Sequence, residues 1–314
     1  MKKRMLAAMM AVMLCVATFG VAFASDKPTI MYVAPKVNDP VWLVAKAGFD
    51  AAAEEFGFEG IWTGADDHTV EKTVESLESI IVQQPDAIIT CPFAPSAFTN
   101  ALQKAKDAGI VVTCAAVDAE REDLRNAFVG TDVEAAGIEH IQRIIALLPE
   151  GAQVKLGVIM SNIDSENQVR QVNAAEKYMQ ENNIDYEILD RQADNADPIE
   201  AVDKVTAMLR ANPEMNAIMS VEGGGTPGVG KAIEEMGLQG KVVAICMDGT
   251  EPNLEQVKTG RISGVMAQNV FRWGYDTAKY AVMALKGEEV PSVTDSGVVF
   301  VGAENVDTYD ATKQ

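Results

Sequence analysis

The chain has 314 residues, 46 acidic against 26 basic, giving a formal charge of −20, and 48% of the residues are hydrophobic. This balance excludes nucleic acid and anionic membrane surfaces as partners, since both repel a strongly acidic chain. The composition is otherwise that of a globular protein, and the three cysteines beyond residue 24, Cys91, Cys114 and Cys246, do not make a disulfide framework.

The first element is an export signal. "MKKRMLAAMMAVMLCVATFGVAFA" begins with Lys2, Lys3 and Arg4, continues as an unbroken apolar run and ends on small residues at Ala22 and Ala24. This is the grammar of a cleaved secretory signal peptide covering 1–24. Leu14 stands before Cys15, where a lipoprotein signal needs a small residue, so no lipid anchor is expected. No later segment is long and apolar enough to span a bilayer. The mature chain is therefore expected outside the cytoplasm, not membrane-inserted, with a charge of about −23 and enough length for two domains.

From residue 25 onward, strand and helix patterns alternate, and the series occurs twice. "PTIMYVAPKVNDPVWLVAKAGFDAAAEEFGFEGIWTG" reads as strand, polar loop, amphipathic helix, strand, and "VKLGVIMSNIDSENQVRQVNAAEKYMQENNIDYEILD" repeats it. A helix then leads through a Pro-acidic turn (Pro85-Asp86, later Pro213-Glu214) to a strand, a loop, a helix, a Gly and another strand. Helical spacing is clear in Val70, Val74, Leu77, Ile80 and Ile81, and again in Val202, Val205, Met208 and Leu209. Cys91, Cys114 and Cys246 each close an apolar run, which suits buried small side chains near strand ends; a Cys91–Cys114 bridge between neighbouring strands is the alternative. The strands are short continuous apolar runs, as expected of sheets covered on both faces.

The stretch "GTPGVGKA" (Gly225–Ala232) is one residue short of a phosphate loop. Ala232 offers no hydroxyl to a magnesium ion, Glu222 at its mouth repels phosphate, and its echo partner "CPFAPSAFTNAL" has no phosphate pattern. It reads instead as a strand-to-helix turn whose glycines let backbone approach a ligand. After Gln268, "NVFRWGYDTAKYAVMALKGEEVP" is a long helix outside both echoes, expected to return to the first lobe, with "GVVFVGAEN" returning to the second.

Alternating units imply parallel sheets with right-handed crossovers, so the expected fold class is α/β: two doubly wound parallel-sheet lobes. Ligands in such sheets bind outside the carboxyl ends of the strands. The export signal, "NDPVW" after the first strand, "MDGT" at Asp248, "MAQN" at Gln268 and "LKGEEVP" together resemble the periplasmic sugar-binding proteins of the ribose-binding type, over essentially the whole mature chain. The resemblance implies the type I periplasmic-binding fold, with three crossovers near Gly130–Asp132, Gln268–Asn269 and Asp295–Gly297. The lobes would be 25–131 plus 269–296 and 132–268 plus 297–314. It also implies a monomer that closes on a small polar ligand (a sugar, deoxysugar or polyol) and docks on the membrane permease of an ABC importer, with no cofactor.

The same resemblance nominates site residues. Asn38 and Asp39 are polar groups of the first loop, where Pro40 opens a helix and either residue can instead cap it. Trp42 supplies a stacking ring, while Val41 stands where relatives carry a second aromatic. Arg170 would donate to hydroxyls, with Asn167 one turn earlier on the same face. Asp248 would accept hydroxyl protons, and Gln268 would add an amide. Glu222 stands where ribose binders have Asn, and Asn195 where many relatives have an aromatic. Lys36, in "APK", resembles a lysine of the autoinducer-2 and rhamnose receptors. Ala115-Ala116 replaces an Asp-Arg pair, leaving that side roomier or less polar unless Asp118 substitutes. No catalytic or metal site is expected: hydrolase and zinc motifs are absent, "DRQADNADPIE" lacks the spacing of a calcium loop, and His68 and His140 read as structural or solvated. A ligand-sensing receptor feeding chemotaxis or a sensor kinase would share this fold and cleft.

Overall fold

A computed structural model describes residues 27–66, 69–163 and 165–312; the export signal and His68 lie outside the described residues. One six-stranded sheet contains β1 (Thr29–Ala34), β2 (Glu59–Gly64), β3 (Ala87–Thr90), β4 (Val111–Ala115), β5 (Ala127–Gly130) and β11 (Val293–Asp295), in the order β11-β5-β4-β3-β1-β2. The other contains β6 (Val154–Met160), β7 (Tyr186–Ala193), β8 (Ala217–Ser220), β9 (Val243–Met247), β10 (Gly264–Gln268) and β12 (Val298–Gly302), in the order β12-β10-β9-β8-β6-β7. All strand pairs are parallel except β10 with β12.

Helices cover both faces of each sheet, which is why the central strands β3 and β8 are buried throughout. On the first sheet, α1 (Pro40–Phe56) and α9 (Val270–Leu285) bury Trp42, Phe49 and Trp273 against one face. On the other face, α2 (Val70–Gln83) and α3 (Pro95–Asp107) bury Leu77, Ile80, Phe98 and Leu102. The second sheet has α4 (Val133–Leu147) and α5 (Glu166–Glu181) on one face. Helices α6 (Pro198–Ala211), α7 (Thr226–Glu235) and α8 (Glu251–Lys258) cover its other face. The α/β architecture is thus two doubly wound lobes, and the long helix after Gln268 does return to the first of them.

The chain passes between lobes three times: from β5 to α4, from β10 to α9 and from β11 to β12. These passages are stitched together by backbone donors. Ser296 N–H donates to Gly130 O at 2.8 Å, Asp132 N–H to Asp295 Oδ1 at 3.0 Å and Asn269 N–H to Gly297 O at 3.3 Å.

The echo extends to packing. A Cβ on Gly274 of α9 would lie 1.8 Å from Ala45 O on α1, and one on Gly137 of α4 would lie 2.1 Å from Gln171 O on α5. Both helix pairs therefore meet backbone to backbone at matching places, where only glycine fits. Matching the two contacts makes Trp42 the counterpart of Gln168, and Trp273 the counterpart of Ala136.

Candidate functional site

The carboxyl ends of both sheets face a cavity of about 640 Å³. On the first lobe, Asp39 caps α1, its Oδ1 accepting from Val41 N–H at 2.9 Å, while its side chain also lines the cavity. One turn into that helix, Trp42 lines the cavity and is 8% exposed. Trp273 of α9 lies beside it, with ring centroids 5.8 Å apart and planes 43° apart. Its indole N–H donates to Ser296 Oγ at 3.0 Å, which fixes the ring. Phe93, Val41 and Ala116 complete a largely apolar wall.

The second lobe builds a polar wall. Asp248 follows β9 with φ +66°, a conformation held by Asn253, whose amide donates to the carbonyls of Gly223, Met247 and Asp248 at 3.0, 3.1 and 3.1 Å. Gln268 Nε2 donates to Asp248 Oδ1 at 2.8 Å, leaving the other oxygen for a ligand. Burial raises the Asp248 carboxyl above the usual carboxylate range, and the charge of Asp39 adds to the effect. Gln168 reaches back to Ser161, donating to its Oγ at 2.8 Å and accepting from its N–H at 2.9 Å.

Glu222 follows β8 and is buried; both its oxygens lie 3.0 Å from Gly225 N. Behind it sits Asp194, fully buried in the β7–α6 turn, with Oδ1 accepting from Ala196 N–H at 2.9 Å and Oδ2 lacking any donor. A Cβ on Gly225 would fall 1.9 Å from Asp194 Oδ2 and 2.8 Å from Glu222 Oε1, so glycine is required where the two carboxyls converge. Burial, and then the proximity of Asp194, push the Glu222 carboxyl well above its ordinary range; burial raises Asp194 as well. The glycine-rich turn is thus the cap of α7 and a piece of cavity wall, through Gly223 and Gly224.

Asp39, Trp42, Asn167, Asn195, Glu222, Asp248 and Gln268 all line the cavity. Lys36 and Asn38 do not; both are exposed on the first loop. Arg170 does not either: it pairs with Glu134 at 3.2 Å and lines an adjoining cavity of about 330 Å³. The reason is helical phase, because Arg170 is two residues past Gln168, roughly 200° around α5. Gln168 and Gln171, three apart, face the cavity in its place. Asp118 does not restore the missing pair, since Arg125 holds it in a two-pronged ion pair at 2.9 and 2.8 Å. The ring missing at Val41 is made good by Trp273, whose sequence signal is the Trp-Gly pair at the matching place to Ala136-Gly137. Asp194 carried no signal. Cys91, Cys114 and Cys246 are buried free thiols, so the alternative bridge does not form. His140 is buried on α4, donates from Nε2 to Ile245 O at 3.0 Å, and is pushed down to about 4 by burial.

Among the described residues, no His, Cys, Asp or Glu cluster can hold a metal ion, and no helix is long and apolar enough to cross a membrane. A family model described as a periplasmic binding protein domain matches residues 30–289. The D-allose-binding periplasmic protein of Escherichia coli K12 is 24% identical, with 86% of this chain and 88% of that protein covered. A sugar-binding protein of a sugar ABC transporter from Bacillus halodurans superposes with a TM-score of 0.83 at 22% identity, covering 90% of this chain and all of that one. An ABC transporter solute-binding protein from Agrobacterium vitis, solved with bound D-fucose, gives 0.80 at 26% identity, covering 90% and 98%.

Proposed function

This chain belongs to the periplasmic binding protein family, and from that premise we propose that it is the extracytoplasmic receptor of an ABC importer, exported to the periplasm, binding a small sugar, deoxysugar or polyol. The family binds ligands rather than transforming them. The lobes proposed to close on the ligand are 25–131 plus 269–296 and 132–268 plus 297–314. The observation that carries the reading is the cavity between the strand ends, with indoles on one wall and carboxyl and amide groups on the other. A sugar ring has the same division: its C–H face suits an aromatic ring, and its hydroxyls suit acceptors such as Asp248. The apolar wall around Ala116 favours ligands with fewer hydroxyls on that side, and D-fucose, a deoxysugar, is bound by the Agrobacterium vitis relative. Groups on both lobes would favour the closed form by differential affinity, and the closed form would dock on the permease.

The test is a thermal-shift screen of pentoses, hexoses, deoxysugars and polyols, joined to mass spectrometry of co-purified ligand. A carbohydrate should raise Tm by mass action. A clear response to nucleosides or amino acids with none to carbohydrates would overturn the substrate class.

A further inference from the structure

The main cavity continues sideways into a second one. The adjoining cavity of about 330 Å³ shares Ala116, Val117, Thr131, Val133 and Asn167 with it, so no wall separates the two. At this opening Ala116, which follows β4, carries only a methyl.

On the other lobe the matching opening is closed. Asp248 follows β9 in the same left-handed backbone conformation, φ +66° against +64° for Ala116. Val117, Asp118 and Arg170 line the side cavity at Ala116, and their counterparts Gly249, Thr250 and Val44 line one of about 610 Å³ beside Asp248. No residue lines both that cavity and the main one. The Asp248 side chain is held there by Gln268 at 2.8 Å, and a Cβ on Gly249 would fall 2.7 Å from the Tyr309 ring, so the passage is filled. One duplicated backbone thus leaves the cleft shut on one side and open on the other, and the open side carries the smaller side chain.

The chemistry of the side cavity says what it takes. Its charged groups are already answered. Arg125 holds Asp118 at 2.9 and 2.8 Å, and Arg170 pairs with Glu134 at 3.2 Å. Asp295 Oδ1 accepts from the N–H groups of Asp132 and Gly297 at 3.0 and 2.8 Å, and Asp132 Oδ1 accepts from those of Glu134 and Ala135 at 3.0 Å each. Val117, Phe128, Val133 and Val293 supply apolar surface. An uncharged apolar group laid against them leaves water without breaking any of those pairs.

We propose that the cleft takes a glycoside: the sugar ring sits in the main cavity, and an uncharged, largely apolar aglycone passes Ala116 into the side cavity. The inference rests on the carbohydrate reading of the main cavity and adds a second subsite to it.

The experiment is calorimetry on the mature chain with the sugars and polyols of the screen, each sugar both free and as its phenyl α- and β-glycosides. For a sugar that binds, the glycoside of one anomer should be tighter than the free sugar by about tenfold, because the aglycone adds buried apolar area. Ala116→Asp, which this backbone conformation tolerates as Asp248 shows, should bring the ratio of the two affinities toward one. Should that variant fail to fold, Val293→Trp, at an exposed position that lines the side cavity and not the main one, reads the same ratio. Free sugars or polyols that bind while every phenyl glycoside binds no more tightly overturn the inference and leave the carbohydrate reading standing. A tighter glycoside whose advantage survives in both variants places the aglycone elsewhere and overturns the inference as well. Binding only of non-carbohydrates overturns both.

Discussion

The two walls of the cleft are the same backbone carrying different chemistry. Ala116 and Asp248 both follow the fourth strand of their lobe, at φ +64° and +66°, and their N–H groups donate to Val129 O and Met266 O, each at 2.9 Å. One presents a methyl and the other a carboxyl. Trp42 is matched by Gln168, Val41 by Asn167, and Phe93 by Gly223, and all of these line the cavity. A duplicated scaffold has thus kept its geometry while one copy became apolar and aromatic and the other polar and acidic. On the proposed reading specificity is divided: the first lobe offers mainly apolar surface beside Asp39, and the second offers most of the hydrogen-bonding and carboxyl groups.

Making the walls alike at one position should have the largest effect. Asp248→Ala gives the second lobe the residue the first already carries in this backbone conformation, so the fold should tolerate it. Affinity should fall by about 100-fold, near 3 kcal/mol, because a charge-assisted acceptor is lost in a dry site. Calorimetry with the ligand found by screening checks this, and an unchanged affinity would remove Asp248 from the site.

The lobes also differ in how the sheet is tied to its cover helix. In the first, Thr113 of β4 donates to Thr277 O of α9. At the matching place in the second, His140 of α4 donates to Ile245 O of β9. Only the second link titrates. His140 has a depressed folded pKa, near 4 against an ordinary 6.5, so between these values the unfolded chain binds the extra proton. Stability should therefore fall as pH drops from about 6.5 to 4, by about 2–3 kcal/mol in all. Hydrogen exchange should show β9 amides losing protection in that window before β4 amides; equal loss in both lobes would count against the assignment.

Glu222 acts in the opposite direction. Its folded pKa is raised from 4.5, so its favourable contribution is complete below that value and is lost as pH rises toward 8. Glu222→Gln should match the wild type near pH 4.5 and exceed it by about 1–2 kcal/mol near pH 8, measured as urea midpoints. A gain of equal size at both pH values would show that charge is not the cause. The matching position in the first lobe is Pro92, which has no such dependence.

Much of this division was legible in the sequence. The echo, the two lobes and the return of the last helix followed from apolar runs and their spacing, because strand ends are marked where those runs stop. The resemblance to sugar-binding proteins nominates Asp39, Trp42, Asp248 and Gln268, and they line the cavity because each lies at or shortly beyond a strand end. Arg170 does not, since its direction depends on the phase of α5, and a shift of two residues turns a side chain to the far side. Trp273 depends on α9 crossing back to meet α1 at Gly274, and Asp194 on a turn folding beneath α7. Both are consequences of tertiary contact between segments far apart in the chain.

The smallest effect concerns how each wall is tied to the passages between lobes. On the polar wall, Asp248 is oriented by Gln268 at the β10–α9 passage. On the aromatic wall, Trp273 donates to Ser296 in the β11–β12 passage, and Thr131, in the β5–α4 passage, lies 3.3 Å from the same hydroxyl. Each wall is therefore tied to a passage between the lobes. Ser296→Ala leaves the Trp273 N–H buried without an acceptor, at a cost of about 1 kcal/mol, and frees the ring to tilt. The expected outcome is a loss of a few-fold in affinity with a changed tryptophan emission on ligand binding, while the polar wall is untouched. If affinity falls but emission is unaltered, the hydroxyl serves the hinge alone and the aromatic wall stands independently of it.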